Sequence, residues 1–351
     1  MPPTPPNRKH AARLVKEINE KITSGTFKYG DYFPDSIHAV ASPSSAGVAL
    51  SIVGERWLKT KGRLAGATRS QYKNALNFWY RSLGGEDTHI ASIRHGDLAA
   101  FIGDYEWPSA KLCNNYLIAL RGIFALARRD RFIIDDPMDG IENTKMQAPL
   151  PDPFTLDEAE QILTDLFKHY PEPVGNYFEY AFFTGQRPEE TVAQSWQDMD
   201  WHLETVRVQK AKSFRGQLKP VKGYSARDIE LSSRALAALR RQKAHTFLKS
   251  HGFVFENPLT NAPWHDGRSQ RETYWQPALK RLGIRYRGPY HTRHTYATAA
   301  IMQGCKPVWI AKQMGNSPLM IFKHYAKWLE KADKSEERGK FEGAINRLKT
   351  G

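Results

Sequence analysis

Apolar residues recur at intervals of three and four along most of this chain, the spacing that gathers side chains on one face of an α-helix. Over 8–24 the stripe is Ala11, Leu14, Val15, Ile18 and Ile22, with Gly25 as a stop. An aromatic, turn-rich stretch at 27–34 and a small-residue linker at 39–47 follow. Helical spacing resumes over 48–59. It continues over 67–83, where Tyr72, Ala75, Leu76, Trp79 and Tyr80 share a side, and over 109–128, through Leu112, Tyr116, Ile118, Leu120, Ile123 and Leu126. These segments predict a helical bundle over 48–144 with Trp57, Trp79 and Tyr80 in its core. Pro149, Pro151 and Pro153 mark a linker over 145–153.

Beyond the linker, Thr155-Leu156-Asp157-Glu158 reads as a capping box ahead of Ile162, Leu163, Leu166 and Phe167. A helix over 174–184 stops at Gly185. Val206 and Val208, then Ile229 and Leu231, alternate with polar residues, predicting short strands. Helical periods return over 234–249, 269–282, 292–303 and 308–314. The expected fold is mainly α with a small β-sheet: a helical domain (48–144), a second mixed domain (154–329), an N-terminal helix and linker (1–47) and a C-terminal tail (330–351). No repeat of fixed period is visible.

Length agrees with this division, since 351 residues correspond to roughly two domains at about 150 residues each. A 40% hydrophobic content with nine tryptophans excludes disorder across the whole chain. No apolar run approaches the roughly 18 residues of a membrane span. Residues 1–10 are proline-rich and then basic, unlike a secretory signal. Two cysteines, Cys113 and Cys305, cannot build a disulfide scaffold. The expectation is a soluble intracellular protein.

Charge changes the picture more. Lys and Arg number 51 against 37 acids, a net +14, and both halves are basic: 20 against 15 up to Leu150 and 31 against 22 after it. The stretch 207–249 holds 12 basic residues against only Asp228 and Glu230. A polyanion gripped from two sides is the implied partner. Charge alone does not separate DNA from RNA or lipid, but no long basic helix carries an aromatic face, which makes lipid the weakest choice. No phosphate-cradling Gly-x-x-x-x-Gly-Lys-Ser/Thr motif is present, arguing against an ATP-driven process.

Four segments of the second domain carry candidate chemistry. They are Thr184-Gly185-Gln186-Arg187-Pro188-Glu189-Glu190; Lys222-Gly223-Tyr224-Ser225-Ala226-Arg227; Tyr290-His291-Thr292-Arg293-His294-Thr295; and Met314-Gly315-Asn316-Ser317-Pro318 followed by His324-Tyr325-Ala326-Lys327-Trp328. Each has an ordinary explanation in isolation: Arg187 as a helix-end ion pair with Glu190, Tyr325 as a half-buried aromatic. His291 and His294 at helical spacing suggest a metal pair but lack a convincing third ligand.

In this order and spacing the four segments resemble the tyrosine recombinase (phage integrase) family, over roughly 48–328. The Gly-x-Arg-x-x-Glu box is intact, which implies a catalytic Arg187 supported by Glu190. The family's catalytic lysine precedes an Arg and an alternating strand. That pattern suits Lys222 best, with Lys210, Lys212 and Lys219 near enough to compete. In the second box the arginine is Arg293 and the following histidine is His294, but the leading histidine is replaced by Tyr290. The His or Trp after the final glycine is replaced by Asn316. Tyr325 matches the nucleophile.

The resemblance implies a helical, SAM-like core-binding domain and a mixed α/β catalytic domain closing as a C-shaped clamp on double-stranded DNA attachment sites. It also implies a homo-tetramer in the synapse and no cofactor or metal. A bacterial, cytoplasmic setting with DNA-bending or directionality factors as accessory partners follows from the same source. Arg187 and Arg293 would neutralise a phosphodiester with paired donors. Tyr325 would attack phosphorus and hold the strand as a 3′-phosphotyrosine, and Lys222 would protonate the departing 5′-oxygen. Tyr290 and Asn316 can donate hydrogen bonds but do not replace an imidazole base; His294 would orient the site, and water or His291 would accept the proton. The segment over 1–47 resembles the end of an arm-type DNA-binding domain, and 330–351 is a candidate for packing on a neighbouring subunit. Two alternatives are a DNA-binding protein of this fold with weak or lost catalysis and a type IB topoisomerase-like nicking enzyme.

Overall fold

The computed structural model describes residues 4–24, 26–27, 29–33, 47–146, 150–213, 216–221, 223, 225–332, 339, 341–342 and 345. The chain divides into two compact units, Met1–Gln147 and Ala148–Gly351; the division falls inside the proline-rich stretch.

In the first unit, α1 (Pro5–Thr23) starts on a proline, which needs no N–H partner in a first turn. None of its residues is buried. The short α2 (Tyr29–Tyr32) is tied to it where the Tyr32 hydroxyl donates to Glu17 Oε1 at 2.6 Å. The 39–46 part of the expected linker lies outside the described residues. The bundle comprises α3 (Leu50–Thr60), α4 (Gly66–Ser82), α5 (His95–Asp104) and α6 (Ala110–Arg129). Ser109 caps α6 by accepting from the Leu112 amide. Trp57, Trp79 and Tyr80 lie in the core with Leu98, Leu117, Leu120 and Phe124. Gly122 is a close-approach position, since a Cβ there would stand 2.2 Å from the Trp57 ring.

The second unit opens with α7 (Leu156–His169), whose Thr155–Glu158 capping box forms in both directions. The next helix, α8 (Glu172–Thr184), is buried on nearly every side, and its buried polar groups are partnered: Arg241 donates to Asn176 and Arg234 pairs with Glu179. Gly185 ends it in the left-handed conformation (φ 61°). After the four-residue α9 (Pro188–Thr191) come β1 (Met199–Asp200), β2 (Thr205–Val208), β3 (Lys210–Lys212), β4 (Leu218–Pro220) and β5 (Arg227–Glu230). Val206 and Ile229 pair across β2 and β5 and point into the core, while Arg207 and Asp228 pair on the exposed face.

One small sheet was the expectation. Among the described residues there are three: an antiparallel β1-β2-β5 sheet, the β3–β4 hairpin, and the pair β6 (Glu256–Asn257) and β7 (Ala262–Pro263). The four-residue β2 and β5 carry the alternation seen in the sequence, whereas strands of two or three residues are too short to print one. Then come α10 (Ser233–Thr246), α11 (Arg268–Gln270), a π-turn at Arg271–Trp275, α12 (Gln276–Arg281), α13 (His291–Met302), α14 (Pro307–Met314) and α15 (Pro318–Ala332). The main core gathers Phe178, Phe182, Val206, Ile229, Leu239 and Trp275. A second core joins α13, α14 and α15 through Ala297, Ile301, Ile310, Met314, Ile321 and Tyr325. That second core positions the site.

Candidate active site

Arg187 emerges where Gly185 turns the chain out of α8. A side chain on Gly185 would meet the Tyr296 ring at 2.5 Å, so this turn requires glycine on both conformational and steric grounds. Pro188 starts α9, and Glu190 Oε2 accepts from the Arg187 amide at 3.0 Å while its Oε1 pairs with Arg187 Nη1 at 2.8 Å. The same carboxylate pairs with Arg227 Nη2 at 2.7 Å. Glu190 is 1% exposed. Burial acts to raise its pKa, but the hydrogen bonds and charges of Arg227 and Arg187 outweigh that and hold it below the ordinary value. Arg227 in turn donates from Nε to the Gln313 carbonyl at 2.9 Å, locking β5 to α14.

Arg293 approaches from α13. Its Nη1 donates to the Gly185 carbonyl at 2.7 Å and its Nη2 to Asn316 Oδ1 at 3.1 Å. Arg187 Nη2 donates to the same Oδ1 at 3.2 Å and to the Gly315 carbonyl at 3.3 Å. Two guanidinium groups from distant parts of the chain thus converge on one oxygen. Burial, and after it the neighbouring Arg187, lowers the Arg293 pKa to about 10, still far above neutrality. Gly315, at φ 64°, makes the turn that presents Asn316, and a Cβ there would press on the Arg227 guanidinium at 2.7 Å.

Tyr325 occupies a break inside α15, with φ −120° and ψ 16°, so its phenol leaves the line of the helix. It is 3% exposed, and burial pushes the phenol pKa well up. Its hydroxyl lies 2.8 Å from His294 Nδ1. Burial lowers the His294 pKa to about 4, helped by His291, Arg293 and His324 and opposed by Asp152. Tyr290 stands at the cap position just before α13, is exposed, and sets its ring edge-on to His294 at 5.3 Å. His291 Nδ1 lies 3.0 Å from the Gly288 carbonyl. The two imidazoles are 5.6 Å apart, and among the described residues no third His, Cys, Asp or Glu joins them in a metal-holding group.

Of the residues expected from the sequence, Arg187, Glu190, Arg293 and Asn316 form one connected network. Tyr325, His294 and Tyr290 form an adjoining one, joined through the neighbouring residues Arg293 and His294. Lys222 lies outside the described residues. Among the competing lysines, Lys219 Nζ pairs with Glu189 at 3.3 Å. Lys212 is buried at the end of β3, where its Nζ donates to the Trp264 carbonyl at 2.6 Å and sits 4.0 Å from the centre of the Phe253 ring. Burial lowers its pKa to about 8. Arg227 and Gln313 were not assigned a role from sequence. Arg227 had a signal, a cation opening an alternating strand, whereas Gln313 had none.

Two guanidinium groups that meet at one oxygen, with a buried tyrosine nearby, are the arrangement expected from the sequence. Comparison with known proteins gives the family. Residues 153–331 match the phage integrase family, and residues 1–37 match the Arm DNA-binding domain. The chain belongs to the phage integrase family of tyrosine recombinases. It is 26% identical to the prophage integrase IntR of Escherichia coli K12, over 92% of this chain and 87% of that protein. It is equally similar to a protein of the same organism named putative defective protein IntQ, over 93% and 92% of the two. A λ integrase dimer bound to a core site shares the fold at a TM-score of 0.67 and 15% identity, covering 92% of this chain and 87% of that one. The Tn1549 transposon integrase in complex with circular-intermediate DNA does so at 0.67 and 17%, covering 79% and 95%. No described helix is long and apolar enough to cross a membrane.

Proposed function

We propose that this protein cuts and rejoins double-stranded DNA at attachment sites, integrating or excising a phage or other mobile element through a 3′-phosphotyrosine intermediate. One observation carries the reading: Arg187 and Arg293 direct their Nη2 atoms at a single oxygen, 3.2 and 3.1 Å away, as the non-bridging oxygen of a phosphate requires. A phosphodiester resists attack because its anionic oxygens repel the nucleophile, and two permanent cations remove that repulsion. Tyr325 Oη then bonds to phosphorus as the bond to the 5′-oxygen breaks. The ester energy is kept in the phosphotyrosine, so resealing needs no ATP.

A lysine supplies the proton to the leaving 5′-oxygen. Sequence order favours Lys222. Among the described lysines the surroundings of Lys212 support the same role, because its lowered pKa of about 8 keeps it protonated near neutrality yet ready to give the proton up. Lys212→Ala and Lys222→Ala compared side by side assign the acid: the variant that abolishes strand cleavage identifies it.

The helical unit and the catalytic unit together would clamp each half-site, and four copies would form the synapse; most of the 330–351 tail, the candidate for packing on a neighbour, lies outside the described residues. The λ integrase structures include a tetramer on a Holliday junction, which supports that assembly. Tyr290 and Asn316 favour a second reading, a DNA-binding protein of this fold with weakened cleavage. A nicked suicide duplex built from DNA flanking the gene separates the two. A covalent adduct on a denaturing gel, lost in Tyr325→Phe, supports the enzyme; binding without any adduct supports the second reading. Strand exchange between two such duplexes distinguishes recombination from topoisomerase-like relaxation.

A further inference from the structure

We propose that His294 is the base that takes the phenolic proton of Tyr325 during strand cleavage. This rests on the recombinase reading above and assigns a step that the resemblance left to water or His291. Tyr290, where the family has histidine, presents an exposed phenol hydroxyl in place of an imidazole nitrogen. Asn316 does not titrate and is already engaged by both arginines. Among the described residues the titratable side chain at hydrogen-bond distance from Tyr325 Oη is His294, with Nδ1 at 2.8 Å.

The placement follows from the helix. Arg293 and His294 are consecutive on α13 and therefore about 100° apart around its axis. One reaches Gly185 and Asn316, the other reaches α15. The break in α15 at Tyr325 turns the phenol toward that imidazole.

The charged and titratable groups around His294 are Tyr290, His291 and Arg293 on its own helix, His324 and Tyr325 on α15, and Asp152 near the start of the unit. Burial and the cations keep the imidazole neutral in the DNA-free protein, leaving a lone pair on Nδ1 when the ring proton is on Nε2. A scissile phosphate seated on Arg187 and Arg293 adds negative charge to this surrounding and makes the imidazole a stronger base when one is needed. The step balances. The Tyr325 Oη–phosphorus bond forms, the phosphorus–5′-oxygen bond breaks, the phenolic proton passes to Nδ1, and the lysine acid protonates the leaving oxygen. Resealing runs the same transfers backwards.

The test compares His294→Asn, which retains an acceptor near Nδ1 without basicity, with His294→Ala. The readout is the single-turnover rate of adduct formation on the nicked duplex. Both variants should slow by about 10²-fold or more, the scale of general-base catalysis. Replacing the 5′-bridging oxygen by sulfur, which leaves without a proton, should rescue the lysine variant but neither His294 variant. Imidazole in the buffer should partly restore His294→Ala. A His294→Asn protein that cleaves at the wild-type rate overturns the proposal and leaves His294 a positioning residue. Nitrogen-15 NMR of the DNA-free protein decides independently of any substrate: the expected tautomer carries its proton on Nε2, and a proton on Nδ1 overturns the assignment. A wild-type protein that forms no adduct counts against the recombinase reading, while the tautomer still judges the proton acceptor.

Discussion

Asn316→Asp should stabilise this protein and impair it at the same time. Asn316 Oδ1 accepts from Arg187 Nη2 at 3.2 Å and from Arg293 Nη2 at 3.1 Å, so it stands where an oxygen of the scissile phosphate is expected to bind. As a neutral amide it accepts two hydrogen bonds of about 0.5–1.5 kcal/mol each, whereas an ionised acceptor is worth about 1.5–3 kcal/mol. Two contacts therefore gain roughly 2–3 kcal/mol, with the lower end expected because Asn316 is only partly buried. DNA must displace that interaction to reach the guanidinium groups, so the apparent affinity for the scissile phosphate should fall by about 30- to 150-fold.

The pH dependence has a definite sign. The new carboxyl lies between two cations, so its folded pKa is below its unfolded value near 3.9. The added stability is therefore present above about pH 4 and disappears as pH falls through the folded pKa. Urea unfolding at pH 7 should show the variant about 2 kcal/mol more stable than wild type, with the difference closing in acid. Single-turnover adduct formation should show the loss of activity, which rising DNA concentration partly recovers. Asn316→Ala supplies no competing charge and should not show the stability gain. An Asp variant no more stable than wild type, or one that cleaves at the wild-type rate, refutes the shared-oxygen argument.

Other outcomes follow from neighbouring features. Glu190→Gln leaves Arg187 and Arg227 facing each other without their common counter-charge, and should cost about 3–5 kcal/mol in urea unfolding at pH 7. Because the Glu190 pKa is held low, its contribution is present above about pH 4.3 and fades below that, so wild type and variant should converge in acid. Gly185→Ala combines a left-handed backbone with a Cβ 2.5 Å from Tyr296 and should destabilise the second unit by about 1–3 kcal/mol, measured by thermal unfolding. If Lys212 is the acid, kcat/KM for cleavage should be level below its pKa of about 8 and decline as pH rises through it; an alkaline limb unchanged in Lys212→Ala argues for Lys222 instead.

Much of the fold was legible because its signals are local. The Thr155–Glu158 capping box, the stop at Gly185 and the apolar stripes of α3, α4 and α6 each depend on residues within a few positions of one another. The helix α15 was not expected, although Ile321, Tyr325, Trp328 and Leu329 stand at spacings of four, three and one. The two-residue strands were not legible, since pairing partners rather than periodicity define them.

The sequence by itself marked the candidate residues: Arg187 and Glu190 in one box, Arg293 and His294 in another, and Tyr325 in its motif. Tertiary structure alone decided how they are partnered. It set Glu190 between Arg187 and Arg227, brought two arginines to one Asn316 oxygen, and turned Tyr325 toward His294 through a break in its helix. The physical reason is range. Caps and stripes are fixed by neighbours in the chain, whereas a hydrogen bond between groups more than a hundred residues apart exists only after α8, α13, α14 and α15 have packed and excluded water from the space between them.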